Sequence, residues 1–322
     1  MSGIAVLGAG AFGTALAISL AQSGQAVWLW GRDSAAIGDM QVKRENRSRL
    51  PGFAFPKSLM PVADLQEACQ EEIILLAVPT QVLPVLLQDS VGAFAGRTLV
   101  ACCKGIDLKT GLGPAATIAA HVPDATAALL SGPSFAVDIA KGLPTALTLA
   151  ARDSDGLTKL QSQLSTPTLR LYRSTDVTGV EIGGALKNVI AIACGITIGA
   201  GLGESARAAL MTRGYAEMVR LATTLGARAE TLAGLSGFGD LALTCTSDKS
   251  RNFSFGLQLG REGQASANAT TEGVATAQAV VGLAQRAGVD MPISTMMAAV
   301  LGGKIGVAAA IEALLARPLT SE

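Results

Sequence analysis

The chain has 322 residues, enough for about two domains, and 49% of them are hydrophobic although only 4% are aromatic. Its cores must therefore be built from Ala, Val, Leu and Ile, whose small side chains suit close helix packing. The 25 basic residues balance the 25 acidic ones and form no block, which argues against nucleic acid as a partner because its phosphates need a basic face.

The first predicted elements are a strand, a glycine-rich turn and a helix. Ile4–Leu7 is an apolar run typical of a buried strand, and residues 14–23 carry apolar residues at helical spacing before Gly24. Between them lies Gly8-Ala9-Gly10-Ala11-Phe12-Gly13, and a G-x-G-x-x-G turn in this context is typical of a dinucleotide site. The N–H groups at the start of the helix would face the pyrophosphate. The alternative is a turn whose glycines only pack the helix tightly on the sheet.

The second predicted strand, Ala26–Trp30, bears on the choice of cofactor. NAD sites usually place Asp or Glu at its end, about 20 residues beyond the glycines. Gly31 stands there instead and Arg32 follows, and an arginine can bind a 2′-phosphate through two hydrogen bonds. Asp33 is expected to cap the next helix. We therefore hypothesise that NADPH is accepted and favoured, with NADH as the alternative.

Beyond these elements the pattern changes once along the chain. Further strands are predicted at 72–78, 98–102, 127–130, 145–150 and 169–172, and helices alone at 180–200, 206–225, 255–261, 276–287, 293–300 and 308–316. The alternation predicts an α/β fold, with an N-terminal Rossmann-type doubly wound sheet over 1–178 and an all-α substrate-binding domain over 179–322. No linker separates the halves, so a ligand cleft between them is expected.

Cysteine and histidine usage argues against a disulfide framework and a metal site. The cysteines are scattered, at Cys69, Cys102, Cys103, Cys194 and Cys245, and form no C-x-x-C spacing. Cys102 and Cys103 would point to opposite faces of a strand, so buried free thiols in a reducing cytosol are expected. His121 is the only histidine, which excludes a zinc site built on histidines.

The sequence predicts neither a signal peptide nor a membrane span. Met1 leads directly into the first predicted strand. The longest uncharged apolar stretch, residues 188–203, contains several glycines and is shorter than the roughly 20 residues that cross a bilayer. We interpret it as a buried core helix.

Two lysines in apolar surroundings are candidates for proton transfer. Reducing a ketone requires a group that protonates the developing alkoxide, and a buried lysine, whose pKa is lowered, can supply that proton. Lys104 follows a predicted strand, and Lys187 lies within an otherwise apolar helix. The alternative for each is a side chain that reaches solvent from the edge of its element. His121, in a polar break before Pro123, is a weaker candidate.

Polar residues in the second half supply further candidates. Asp240, beside glycines, could pair with a buried lysine or hold a substrate hydroxyl, and the alternative is a helix cap. The hydroxyls of Thr244, Thr246 and Ser247 precede Ser250-Arg251-Asn252. This mixture suits a phosphate, although an exposed loop would have a similar composition.

Taken together, the motifs resemble one family along nearly the whole chain, from Gly8 to about Gly273. The matching segments are Gly8–Gly13, Trp30-Gly31-Arg32, Asn46-x-x-Arg49-Leu50-Pro51-Gly52, Ala77-Val78-Pro79, Lys104-Gly105-Ile106, Ser131–Ala136, Gly184–Asn188, Gly237–Leu241, Ser250–Asn252 and Glu272-Gly273. Their order is similar to that of the bacterial NAD(P)-dependent glycerol-3-phosphate dehydrogenases.

The resemblance implies reversible reduction of dihydroxyacetone phosphate to sn-glycerol 3-phosphate, which feeds phospholipid biosynthesis. We expect the chain to act in the cytoplasm, and it is a candidate homodimer. It implies Lys187 as the catalytic proton donor and acceptor. The implied substrate-binding residues are Lys104, Gly132, Ser134, Lys187, Asp240, Ser250, Arg251 and Asn252. The cofactor-binding residues that it implies are Ala11, Phe12, Arg32, Lys104, Ala136, Arg251 and Glu272, in addition to Gly8, Gly10 and Gly13 of the predicted pyrophosphate turn.

The sequence departs from the family pattern at two places. Gln81 stands where the family often has a histidine, which would alter the pocket near the nicotinamide. Thr270 and Thr271 precede Glu272 where an apolar residue is common. Two rivals remain: a two-domain dehydrogenase for a hydroxy acid or a sugar nucleotide, and a non-catalytic redox sensor. The retained Lys187 and Asp240 disfavour the sensor.

Overall fold

The computed structural model describes residues 3–263 and 272–316. The chain forms two compact units, the first comprising residues 1–104 and 112–181 and the second residues 105–111 and 182–322. This division differs from the predicted one at residue 178 in two respects. The boundary falls a few residues later, inside a long helix, and residues 105–111 belong with the second unit, where Ile106 is part of the apolar core.

The eight strands of the described residues all belong to one sheet in the first unit. They are β1 Ile4–Leu7, β2 Val27–Trp30, β3 Leu59–Val62, β4 Ile73–Leu76, β5 Thr98–Ala101, β6 Thr126–Ser131, β7 Thr145–Ala151 and β8 Leu169–Ser174. Their order is β3-β2-β1-β4-β5-β6-β7-β8, and only β6 and β7 pair in antiparallel fashion. The predicted doubly wound, mostly parallel sheet is therefore confirmed.

One strand, β3, was not predicted, because proline within a short run argues against a strand. It contains Pro61, which cannot donate a ladder hydrogen bond, and it lies at the edge of the sheet beside β2. An edge strand tolerates proline because one side of its backbone has no partner strand.

Helices cover both faces of this sheet. They are α1 Ala11–Gln22, α2 Ser34–Lys43, α3 Leu65–Ala68, α4 Leu83–Asp89, α5 Val91–Phe94, α6 Pro114–His121, α7 Ala136–Ala140 and α8 Ser154–Leu164. Alternate residues of a strand point to opposite faces, so Val6 lies in one apolar core and Leu7 in the other. Cys102 and Cys103 divide in the same way, and all five cysteines are buried free thiols, as predicted.

The regular elements of the second unit are all helices within its described residues. Its helices are α9 Val177–Gly199, which begins in the first unit, α10 Gly203–Thr224, α11 Ala229–Ala233, α12 Asp240–Cys245, α13 Arg251–Glu262, α14 Glu272–Ala287, α15 Pro292–Leu301 and α16 Val307–Leu315, with a π-helical turn at Leu235–Gly239. The all-α prediction is confirmed, although α11, the π-helical turn and α12 were missed. Helix α9 is long and apolar enough to cross a bilayer, but 89% of its apolar window is buried within the protein, as in a core helix.

Helices α9 and α13 pack with their backbones in contact. A β-carbon on Gly195 of α9 would overlap the carbonyl oxygen of Phe253, and one on Gly256 of α13 would overlap that of Ile192. Only glycine permits so close an approach. The contact brings the start of α13, with its Ser250-Arg251-Asn252 motif, beside α9, which carries Lys187.

Candidate functional site

The glycine loop between β1 and α1 has the geometry of a phosphate cradle. Gly8 has a φ of +123°, and a β-carbon there would lie 2.5 Å from the carbonyl oxygen of Ala77. A β-carbon on Gly13 would overlap the carbonyl oxygen of Gly8, whereas one on Gly10 would meet no atom within 4 Å. Helix α1 begins at Ala11 without a side-chain cap. The exposed backbone at Gly10 and the uncapped helix start therefore fit a pyrophosphate.

The end of β2 carries a closely packed glycine, Gly31, followed by an exposed arginine, Arg32. A β-carbon on Gly31 would lie 2.9 Å from Cδ1 of Ile37 and 3.1 Å from Cβ of Ala9, so any side chain at this position would require the Ile37 side chain to move. Arg32 is exposed. Asp33 caps α2, because its Oδ1 accepts hydrogen bonds from the backbone N–H groups of residues 35 and 36, at 3.0 and 3.1 Å, as predicted.

The ends of the neighbouring strands β5 and β6 bring three of the expected site residues together. Lys104, half-buried after β5, donates from Nζ to the carbonyl oxygen of Gly132 at 2.9 Å. The Ser134 hydroxyl donates to the same oxygen at 3.3 Å. Ala136 begins α7 two residues further on. These groups lie at the carboxyl edge of the parallel part of the sheet, where ligands of this fold class bind.

In the second unit, Lys187 forms a buried ion pair. Its Nζ lies 2.5 Å from Oδ1 of Asp240 and 3.0 Å from Oγ1 of Thr244, and the lysine and aspartate are only 7% and 0% exposed. Two charges out of water are tolerated only when each has good partners. Asp240 begins α12 and pairs with Lys187. The alternatives considered from the sequence were an aspartate that only caps a helix and a lysine whose side chain reaches solvent.

Thr244 is a member of this site that the sequence did not assign. Its hydroxyl donates to the backbone carbonyl oxygen of Asp240 at 2.6 Å, so its oxygen is oriented to accept from Lys187. The composition placed it with a phosphate-binding cluster instead. A signal was available, because residues 240 and 244 lie four apart and share one face of a helix.

The start of α13 presents a guanidinium that has no partner among the described residues. Ser250 is the N-cap, since its Oγ accepts from the backbone N–H of Phe253 at 3.2 Å. Arg251 is exposed at the first helical position and is bonded to no residue that the structure describes. A cation at the start of a helix, where the helix dipole is positive, suits an anion such as phosphate.

Asn252 connects α13 to two further helices. Its Nδ2 donates to Oδ1 of Asn188 on α9 at 2.9 Å, and its Oδ1 accepts from the backbone N–H of Gly273 at 3.1 Å. Glu272 is thereby held at the start of α14. Asn188 belongs to the matching segment Gly184–Asn188, but the resemblance implies no role for it. Thr270 and Thr271, the departure from the family pattern, lie outside the described residues.

A carboxyl group in the first unit has a displaced pKa. Glu181, near the start of α9, accepts a hydrogen bond from the backbone N–H of Ala115 at 2.6 Å and so caps α6. Burial raises its pKa to about 7, although the N–H groups of residues 115 and 116 and the charge of Arg152 act in the opposite direction. Because the folded-state pKa exceeds the ordinary one of 4.5, protonation stabilises the folded state.

We therefore expect Glu181→Gln to remove a pH dependence. The stabilisation in the wild type is complete below about pH 4.5 and is lost as the pH rises through about 7. The free energy of unfolding of the wild type, relative to the variant, should fall by up to about 3 kcal/mol over this window. Urea unfolding at several pH values measures it. Glu230→Gln, at an exposed site, is the control, and parallel curves for wild type and Glu181→Gln would contradict the prediction.

Comparison with known proteins assigns the family. The model of the NAD-dependent glycerol-3-phosphate dehydrogenase N-terminus matches residues 3–156, and that of the C-terminus matches residues 176–312. The chain belongs to this family. It is 57% identical over 319 residues to the glycerol-3-phosphate dehydrogenase [NAD(P)+] of Paracoccus denitrificans, covering 99% of both chains, and equally similar to that of a Ruegeria species.

A solved relative confirms the architecture. The crystal structure of glycerol-3-phosphate dehydrogenase from Coxiella burnetii aligns with a TM-score of 0.93 and 37% identity, over 98% of this chain and 99% of that one. The protein is thus an NAD(P)-dependent oxidoreductase of the glycerol-3-phosphate dehydrogenase family, as the motifs indicated.

Proposed function

We propose that this protein catalyses the reversible reduction of dihydroxyacetone phosphate to sn-glycerol 3-phosphate with NADPH or NADH. The observation that carries the proposal is the buried Lys187–Asp240 pair. It holds the lysine side chain, the proposed proton donor, within an otherwise apolar helix. Family membership supports it further, as does the exposed Arg251, which is suited to a phosphate.

The proposed chemistry assigns the proton to Lys187. When bound at the glycine loop, a reduced dinucleotide would be the source of the hydride for the carbonyl carbon. Lys187 Nζ protonates the oxygen as it becomes an alkoxide and takes the proton back in the reverse direction. Asp240 stabilises the charged ammonium group, and Thr244 directs it through the hydrogen bond at 3.0 Å. An oriented cation of this kind stabilises developing negative charge without reorganisation during the reaction.

The remaining assignments follow the family pattern and the local geometry. Arg251 would bind the phosphate, with Ser250 and Asn252 completing that end of the substrate, and Lys104 would orient the carbonyl end together with Asp240. Gly132 and Ser134 would line the substrate. The proposed cofactor contacts are Gly8, Gly10, Ala11, Phe12, Gly13, Arg32, Lys104, Ala136, Arg251 and Glu272.

The decisive experiment is a spectrophotometric assay of reduced nicotinamide oxidation with dihydroxyacetone phosphate and each cofactor in turn. Turnover with a KM in the micromolar-to-millimolar range typical of enzymes supports the proposal. Turnover confined to keto acids or to sugar nucleotides would instead support the rival dehydrogenase, and cofactor binding without turnover would support the redox sensor.

We place this activity in the cytoplasm, where it would supply glycerophospholipid synthesis. The balanced charge of the chain supports a small-molecule substrate rather than nucleic acid. A homodimer is part of the same proposal, and sedimentation equilibrium of the purified protein tests it.

Arg32 is proposed to read the 2′-phosphate of NADPH. We expect Arg32→Ala to raise KM for NADPH by roughly 10- to 100-fold, since a charged hydrogen-bonded contact contributes about 1.5–3 kcal/mol, while KM for NADH changes little. Steady-state kinetics with both cofactors measure the ratio. Arg170→Ala, at an exposed site on β8, is the matched control. A strong NADH preference that Arg32→Ala leaves unchanged would refute this role.

A further inference from the structure

The Asn46 motif has no place in the chemistry proposed above, yet Asn46 holds the glycine loop. It lies between α2 and β3 and is 1% exposed. Its Nδ2 donates to the carbonyl oxygen of Ala9 and to Oγ1 of Thr14, both at 2.9 Å. Its Oδ1 accepts from the Ser48 hydroxyl at 3.2 Å and from the backbone N–H of Arg49 at 3.3 Å. The donors and acceptor of the amide are thus all engaged.

The bond to Ala9 controls the direction of a peptide inside the loop. A trans peptide is planar, and its C=O and N–H point in opposite directions. Fixing the carbonyl of Ala9 therefore also fixes the N–H of Gly10, the exposed residue around which a β-carbon would meet no atom within 4 Å. The second bond, to Thr14, fastens the first turn of α1 to the same amide.

The segment that carries Asn46 is itself firmly held. The backbone N–H of Leu50 donates to the carbonyl oxygen of Asn46 at 2.9 Å, and the Leu50 side chain lies in the same apolar core as α1. The N–H of Gly52 donates to Oε1 of Glu45 at 2.8 Å, and Glu45 forms a β-bridge with Ala54. Asn46 therefore anchors the loop to a rigid support.

We propose that Asn46 is a positioning residue for cofactor binding, which holds the glycine loop in its phosphate-accepting conformation before the cofactor arrives. Such preorganisation raises affinity because the loop loses no further conformational freedom on binding. The proposal rests on the proposed cofactor site at this loop. It does not depend on the identity of the ketone substrate.

Two substitutions of Asn46 test the role. Asn46→Asp keeps the shape but sets a carboxylate oxygen against the Ala9 carbonyl, and Asn46→Ala removes the contact without adding charge. Both should weaken binding of NADPH and of ADP-ribose by roughly 10-fold or more, the scale of one or two lost hydrogen bonds. Isothermal titration calorimetry measures the affinities, and thermal unfolding is recorded in parallel.

The positioning role predicts a selective loss of affinity, which a purely structural role does not. Adenosine 2′-monophosphate lacks the pyrophosphate, so Asn46→Ala should bind it as the wild type does, and kcat at saturating cofactor should also stay close to the wild-type value. Ser48→Ala is the matched control, because it removes a bond to Oδ1 and leaves both Nδ2 bonds in place. A lowered melting temperature with unchanged affinity for NADPH and ADP-ribose would overturn the proposal.

A further variant separates this inference from the cofactor site on which it rests. Gly10 has a φ of −75°, so Gly10→Ala introduces no backbone strain and no clash within the protein, and it should weaken NADPH binding only if the ligand approaches there. Unchanged affinity in Gly10→Ala would refute the cofactor site. Weakened binding there with unchanged binding in the Asn46 variants would refute the role of Asn46. If neither Asn46 variant folds, Thr14→Val takes their place, because it removes the hydroxyl that accepts from Nδ2 of Asn46. Unchanged affinity of Thr14→Val for NADPH and ADP-ribose would then refute the role of Asn46.

Discussion

Replacing Lys187 by methionine is expected to lower kcat by roughly 10²–10⁴-fold, the range typical for loss of a general acid, and further because a cation beside the developing alkoxide is lost. Methionine preserves most of the apolar stem, so the packing of α9 changes little. Steady-state kinetics with dihydroxyacetone phosphate at saturating cofactor measure the effect. Turnover near the wild-type rate would refute the assignment of the proton to Lys187.

The same substitution leaves Asp240 as a buried charge without its cation. Breaking a buried ion pair in this way costs about 3–5 kcal/mol of folding free energy, so lost activity could reflect unfolding alone. The double variant Lys187→Met/Asp240→Asn removes both charges and should recover most of the stability without recovering kcat. Urea unfolding and kinetics on both variants separate the two effects. Recovery of turnover together with stability would show that the lysine has only a structural role.

Replacing Arg251 by alanine is expected to raise KM for dihydroxyacetone phosphate by roughly 100-fold, with a much smaller effect on kcat. A charge-assisted contact to phosphate contributes about 1.5–3 kcal/mol, and a phosphate remote from the carbonyl supplies mainly uniform binding energy. The exposed guanidinium has no described partner to lose, so stability should not change. Initial-rate kinetics over a range of substrate concentrations measure the effect.

The unphosphorylated ketone makes this test specific. With dihydroxyacetone, and with the cofactor saturating because Arg251 is also a proposed cofactor contact, kcat/KM should be the same for wild type and Arg251→Ala, since the interaction removed is with the substrate phosphate. Arg261→Ala, an exposed arginine in the last turn of the same helix, is the control and should behave as wild type on both ketones. An equal loss on both ketones in Arg251→Ala would show that Arg251 acts on the whole site rather than on the phosphate.

The accuracy of the predicted elements depended on their length and burial. Long periodic segments such as α9 and α10 were located within a few residues. The short helices α11 and α12 were missed because helices of five or six residues do not form on propensity alone and depend on tertiary packing. Helix α13 begins four residues before its predicted start at residue 255, because Ser250 caps it and apolar periodicity does not register a cap.

The sequence by itself determined the α/β fold, the glycine loop, the helical second half and the family, because these depend on local spacing and on ordered motifs. The partners of the key side chains were decided only by the tertiary structure. Asp240 and Thr244 lie 53 and 57 residues from Lys187 in the chain, and Asn46 lies 37 residues from Ala9. No local pattern encodes such pairs, because hydrogen-bond partners are set by how helices and strands pack once the fold has formed.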